Sequence, residues 1–335
     1  MTSKRWTAFA PRNLLLSALT ALALHQPVRA EDVFASVTFQ EDLFLGSDGG
    51  GYTSGLFFSH MRIASEGEKG IEPTWVLKPI AKWLGMPQAT LASFTVGQVM
   101  VTPKDLELSP PDPHDAPYLG GLLVRSANVY VHDDIADMFA LSVGVVGPGS
   151  GAAETQRFVH RLTGSTAPQG WHSQVPNKLL LGVEGYRAWR FPFAIGNVAG
   201  AKADAVLLGG GALGTIQSSV GGTVLLRYGT GLDRSFPTVV RVTSRTGDPF
   251  AVGRGWFAFV GASVDRAFNQ ISLGNDRPDG NVSRLRKTQQ LVMGGVAYGW
   301  AKSSLTFSLQ NTNPLVDTID QRKSWGSLTY SMQIP

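Results

Sequence analysis

The chain has 335 residues, of which 39 are glycine and none is cysteine, with 16% charged residues and a formal net charge of +4 at pH 7. Without cysteine, a small disulfide-stapled fold and a cysteine-held zinc centre are excluded, so a large core or a closed sheet must stabilise the chain. The positive balance is no nucleic-acid footprint: the first thirty residues hold Lys4, Arg5, Arg12 and Arg29 and no acid, and setting these four aside leaves the basic count equal to the 25 acidic residues.

The N-terminus reads as a secretory signal peptide. Basic residues precede the apolar run Leu14–Leu24, and Val28-Arg29-Ala30 has the small-residue pattern of a cleavage site. Cleavage is expected after Ala30, leaving residues 31–335 as one domain. No later run approaches the ~18 consecutive apolar residues of a membrane-spanning helix.

Beyond the leader the dominant signal is alternation. Leu305, Phe307 and Leu309 alternate with Ser304, Thr306 and Ser308, and Leu328, Tyr330 and Met332 with Ser327, Thr329 and Ser331. Period two gives each strand one apolar and one polar face. A soluble sandwich turns the apolar face inward and a membrane barrel turns it to lipid, so the pattern alone leaves both open. Abundant glycine and low charge suit the barrel. The expected fold is all-β, a transmembrane antiparallel β-barrel of about twelve strands with a short helix in an extracellular loop.

In chain order the strands are expected near Val33–Leu45, Tyr52–Ile63, Leu91–Val101, Tyr118–Val131, Ala136–Val146, Asn177–Phe191, Ala194–Leu208, Leu213–Tyr228, Trp256–Phe268, Thr288–Trp300, Ser303–Gln310 and Trp325–Met332. Two insertions read as helical. Glu72–Leu84 puts Val76, Ile80, Trp83 and Leu84 on one face, a satellite core or an interface patch. Gly151–Leu162 follows the strand end Gly147-Pro148-Gly149. Gly229–Gly255 is a long turn or hides a further strand. With both termini periplasmic, odd strands run outward. Asp42, the Gly46–Gly51 loop, Thr53, Lys104 and the second helix then share the outer side.

That helix carries Gln156 and His160 four residues apart, an amide and an imidazole on one face. Imidazole is the side chain suited to general-base work near neutral pH. On composition alone an exposed or hydrogen-bonded helix histidine is the plainer reading. Among the others, His60 reads as a lumen-facing polar residue in a strand, His114 and His132 as solvated, and His172 as a second candidate. Asp42 is the last polar residue of its strand face. With Glu41, Asp48 and the Thr53 hydroxyl it offers hard oxygen ligands of a kind that suits Ca²⁺ better than zinc. An ordinary solvated strand end is the alternative for Glu41 and Asp48. There is no G-x-S-x-G elbow, Walker loop or HExxH.

The stretch Gly144-Val145-Val146-Gly147-Pro148, Gln156, Phe158-Val159-His160-Arg161-Leu162, Gly164-Ser165 and Gly170-Trp171 resembles the lipid A 3′-O-deacylases of Gram-negative outer membranes. So do Phe39-Gln40-Glu41-Asp42, Tyr52-Thr53-Ser54-Gly55, Gln98 with Thr102-Pro103, and Pro117-Tyr118-Leu119-Gly120. The resemblance runs over nearly the whole chain after the leader. It implies a twelve-stranded outer-membrane barrel whose active site lies at the outer rim, between the wall and a loop helix. It also implies Ca²⁺-dependent ester hydrolysis of lipid A in lipopolysaccharide, with no nucleic-acid partner. Carried over, His160 is the base on water, Gln156 orients the base or the oxyanion, and Asp42 and Thr53 complete the site. Asp42, Glu41 and Thr53 are the expected metal ligands, and Lys104 the expected holder of lipid phosphate. Glu41 stands where the family has asparagine, and the chain ends in Ile334-Pro335 rather than an aromatic residue. A barrel impaired by Glu41, and a barrel phospholipase, are the alternative readings.

Overall fold

The computed structural model describes residues 31–45, 50–194, 200–244, 247–270 and 284–335. The expected leader and Asp48 lie outside the described residues. Twelve antiparallel strands close into a barrel, each paired with its sequence neighbours and β1 with β12. They are β1 (Glu31–Glu41), β2 (Gly51–Ala64), β3 (Leu91–Thr102), β4 (Leu119–His132), β5 (Ile135–Val146), β6 (Lys178–Phe193), β7 (Lys202–Gly214), β8 (Gln217–Gly229), β9 (Gly255–Gln270), β10 (Thr288–Trp300), β11 (Ser303–Thr312) and β12 (Lys323–Ile334). Among the described residues no helix is long and apolar enough to cross a membrane.

The faces settle what alternation left open. In β1, Ser36, Thr38 and Gln40 are buried while Val37 and Phe39 are exposed. Inward hydroxyls pair across strands: Thr38 with Thr329 at 2.9 Å, Ser59 with Thr95 at 2.9 Å, and Thr223 with Ser263 at 2.8 Å. Outward positions are apolar on strand after strand, among them Phe58, Val143, Val224, Val260 and Phe307. A sandwich would reverse this polarity, whereas a lipid-embedded barrel requires it. Aromatic rings gather at the rim that carries the termini: Trp300 lies 5.9 Å from Tyr298 and 6.4 Å from Tyr330, and Tyr228 lies 5.9 Å from Trp256. Such a girdle marks a membrane interface. Inside the barrel, the fully buried Arg227 donates to both carboxylate oxygens of Asp204.

Three expectations change. Gly229–Gly255 is neither a plain turn nor a strand. Residues 230–244 and 247–254 turn into the lumen as a plug that includes two short helical turns, Leu232–Ser235 and Arg241–Ser244. Phe236, Val239 and Phe250 of the plug pack with Phe34 and Met61 of the wall. Asp248 accepts hydrogen bonds from Ser308 and Ser327, each at 2.6 Å, and from Thr329 at 3.1 Å. Wall side chains alone fill the interior of only the smallest barrels, so a twelve-stranded one takes up a segment whose polar groups the wall hydroxyls satisfy. Secondly, β7 starts at Lys202 and runs on through Gly209–Gly211, which lie between the two expected strands. A Cβ on Gly210 would lie 2.2 Å from the Gly185 carbonyl and 2.5 Å from the Tyr186 ring. Thirdly, His60 is exposed on the outward face rather than facing the lumen.

The Glu72–Leu84 insertion contains only a six-residue helix, α1 (Lys78–Trp83), at the terminal rim. Its Ala81 joins a small buried cluster with Ile71, Ala89 and Tyr130, and Trp75 and Trp83 stand exposed beside it.

Candidate active site

The second helix is built against the outside of the wall. After β5, Gly147 takes φ 100°, and its N–H donates to the Gly120 carbonyl at 2.8 Å. Gly149 N–H is caught by Asn177 Oδ1 at 2.7 Å. The chain then enters α2 (Ala152–Thr163). Gln98, on the outward face of β3, donates to Ser150 O at 2.8 Å. Ala152 and Ala153 pack with Met100, Tyr118, Leu106 and Trp171. A Cβ on Gly120 would lie 2.3 Å from that of Ala152, so helix and strand meet at backbone distance. The opposite face of α2 exposes Phe158, Val159 and Leu162, the last 71% accessible, so the helix presents apolar surface outward.

His160 is fixed by how the helix ends. Gly164, at φ 72°, is a left-handed cap, and its N–H and that of Ser165 both return to the His160 carbonyl. The chain doubles back and places the Thr166 carbonyl 2.5 Å from His160 Nδ1. A carbonyl accepts only, so Nδ1 carries the proton and the free lone pair is on Nε2. One turn earlier, Gln156 is buried. Its Oε1 accepts from Trp171 Nε1 at 2.6 Å, while its Nε2 is buried with no acceptor among the described residues. An unsatisfied buried donor costs about 1–3 kcal/mol and calls for an explanation. The Trp171 ring in turn lies 4.9 Å from Tyr118.

The strand ends divide the other expected residues between two faces. Thr53 is the extra residue of a β-bulge, since Tyr52 pairs with Val101 and Ser54 with Met100. A bulge puts two consecutive residues on one side, here outward. Thr53 Oγ1 lies 2.7 Å from Thr102 Oγ1. Glu41 pairs with Ser54 and Gly326 and belongs to the same outward set. Lys104, exposed just past β3, shares a shallow pocket with Thr166 and anchors its N–H on Asp115 Oδ2 at 2.7 Å. Asp42 goes the other way. It opens a 3-10 turn (Asp42–Leu45), is fully buried, and accepts from the Lys323 ammonium at 2.6 Å inside the barrel. Near it Tyr52 donates to Gln40 at 2.5 Å and stacks 5.2 Å from Trp325.

The structure therefore places His160, Gln156, Thr53 and Lys104 on one outward side at one rim, and Asp42 behind the wall. Asp42 lies at that rim too, and its side chain keeps the inward parity of Ser36, Thr38 and Gln40, so the wall separates it from the other four. For the expected Ca²⁺, the donors do not fit as arranged. Asp42 already holds an ammonium, Glu41 is on the opposite face, and among the described residues no three His, Cys, Asp or Glu side chains converge. Sequence reasoning missed Thr166, Lys323 and the role of Trp171. Lys323 had a signal, being a charged residue at the inward parity of Trp325 and Ser327.

The fold is similar to that of LpxR from Salmonella typhimurium, with a TM-score of 0.74 and 16% identity, covering 90% of this chain and 100% of that one. The translocator domain of autotransporter NalP from Neisseria meningitidis scores 0.41 at 11% identity, covering 96% of this chain and 95% of that one. The β domain of the Bordetella autotransporter Brka also scores 0.41 at 11% identity, covering 91% and 100%. At such identities the likeness is one of fold. No curated protein matches the sequence. The family model described as outer membrane protein LpxR matches residues 14–334. The chain belongs to the LpxR family of outer membrane proteins, the lipid A deacylase family that its motifs resemble.

Proposed function

We propose that this barrel is an esterase that releases the 3′-linked acyloxyacyl chain of lipid A, with the α2 rim at the outer leaflet. The observation that carries the reading is the Nδ1–H bond from His160 to Thr166, which leaves Nε2 as a base. In this reading Nε2 takes a proton from water as the water oxygen attacks the ester carbonyl. The Gln156 amide N–H, buried without an acceptor, supports the developing oxyanion. The carbonyl–oxygen bond to the sugar then breaks and the imidazolium returns its proton to the 3′ oxygen. The products are a free acyloxyacyl acid and a 3′-hydroxyl. Lys104 is suited to a lipid phosphate, and exposed Phe158, Val159 and Leu162 suit contact with acyl chains.

Calcium enters this reading only at an Asp42 that Lys323 has released, and no step above runs through it. Glu41, on the site's side of the wall, favours a second reading in which the barrel binds lipid A and turns it over poorly. Purified barrel in mixed micelles with lipid A and glycerophospholipid tests both. Loss of the 3′ acyloxyacyl mass with intact phospholipid is expected. Fatty-acid release from the phospholipid alone would make it a phospholipase, and no release from either would leave the binding reading.

A further inference from the structure

On the far side of the barrel, β9 and β10 carry a cationic cluster directly above an apolar groove. Their outward register runs Arg266 opposite Thr288, Val264 opposite Gln290 and Ala262 opposite Val292. Arg266, Lys287, Arg286 and Arg322 line an upper pocket; Ala262, Val264 and Val292 line a lower one; Gln290 and Arg322 belong to both. The cations are held in place by neutral groups. Arg266 donates to Thr288 Oγ1 at 3.2 Å, and Arg322 donates to the Asn311 side chain and carbonyl. Arg286 alone has a carboxylate, Asp320 at 3.6 Å. Among the described residues no carboxylate lies within ion-pair distance of Arg266, Lys287 or Arg322.

The height of the cluster is what gives it meaning. Arg266 lies ten residues along β9 from Trp256 of the aromatic girdle. At ~3.3 Å per residue and a tilt of ~40° that is a rise of ~25 Å, the height of an apolar membrane band. The cations therefore sit at the opposite headgroup layer, and the groove below them lies in the acyl region. Lipid-facing cations are costly at mid-membrane and tolerated at the interface, where phosphates are their complement. The β9–β10 hairpin is diametrically opposite β3–β4, where α2 sits, in the twelve-strand order.

We propose that this wall is a second, non-catalytic lipid site that takes a phosphorylated, multiply acylated glycolipid, with a phosphate on Arg266, Lys287 and Arg322 and an acyl chain along Val264, Ala262 and Val292. It takes from the functional reading the orientation of the α2 rim to the outer leaflet and the first bound lipid there; loss of the lipid that survives charge removal would speak against that reading, and loss of the charge-dependent one against this site. The test is native mass spectrometry of the folded His160→Ala barrel with bisphosphorylated lipid A. Two bound lipids are expected. Arg266→Gln/Lys287→Gln/Arg322→Gln retains one and weakens the second at least about tenfold, and enzymatically dephosphorylated lipid A shows the same loss. Heat-shifted gel mobility verifies folding; should the triple variant not fold, Arg266→Gln alone is expected to weaken the second lipid by a smaller factor. Two lipids on the charge-removed barrel, equal retention of dephosphorylated lipid A or of phosphatidylglycerol, or equal binding of inorganic phosphate alone would overturn the proposal.

Discussion

Lys323 Nζ lies 2.6 Å from Asp42 Oδ2 inside the barrel, while Glu41, the next residue back, belongs to the outward face of the wall. The pair is buried on both sides, so removing the ammonium takes the opposite charge away from a buried carboxylate, at a cost of about 3–5 kcal/mol. Lys323→Met is expected to lower the unfolding free energy by that amount, read as a lower urea midpoint, and to recover part of it when calcium is added. The wild-type midpoint is expected to be indifferent to calcium and chelator. A wild-type midpoint that rises with calcium as the variant's does would contradict the assignment of Lys323 as the resident cation at Asp42.

The opposite placement of Glu41 and Asp42 predicts that the two carboxylates separate function from stability. Glu41→Asn should raise lipid A hydrolysis and leave the unfolding free energy within about 0.5 kcal/mol, as at ordinary surface positions. Asp42→Asn should destabilise the barrel by leaving the Lys323 charge poorly paired. Parallel denaturation and turnover assays on the two variants separate the effects. Equal loss of stability in both would mean that Glu41 also lies inside.

Gln156 links the helix to the chemistry through its two ends. Gln156→Leu should lower kcat by about 10²–10³, the range for losing one oxyanion donor. Trp171→Phe keeps the ring beside Tyr118 but removes the 2.6 Å hydrogen bond to Oε1. It should cost about 1 kcal/mol of stability with a much smaller effect on kcat. Comparable kinetic losses in the two would make Gln156 a structural residue.

Gly120 sets the distance between α2 and the wall, because a Cβ there would meet that of Ala152 at 2.3 Å. Gly120→Val should push the helix away and lower activity while the barrel keeps its heat-shifted gel mobility. Full activity in that variant would show that the helix need not touch β4.

Much of this was legible in the sequence, for physical reasons that also mark where legibility ends. Strands such as β10 and β11 announce themselves because one face meets lipid and the other the lumen, and period two survives along their length. The plug does not, because Phe236, Val239 and Phe250 owe their burial to the lumen around them and follow no period of their own. The α2 segment is legible from Gly147-Pro148-Gly149 and the spacing of Gln156 and His160. The partners of those residues are not: Thr166 reaches His160 through a left-handed cap, and Trp171 reaches Gln156 across a loop. Thr53 shows the limit of alternation and Asp42 its reach. A bulge turns Thr53 outward against the parity of its strand, whereas Asp42 follows Ser36, Thr38 and Gln40 inward.

The central claim, that His160 is the base for lipid A deacylation, is tested most directly by mass spectrometry of lipid A incubated with the folded wild-type barrel and with His160→Ala. The account predicts loss of the 3′ acyloxyacyl mass with the wild type and unchanged lipid A with a variant that folds equally well. Continued release of that chain by His160→Ala would contradict it.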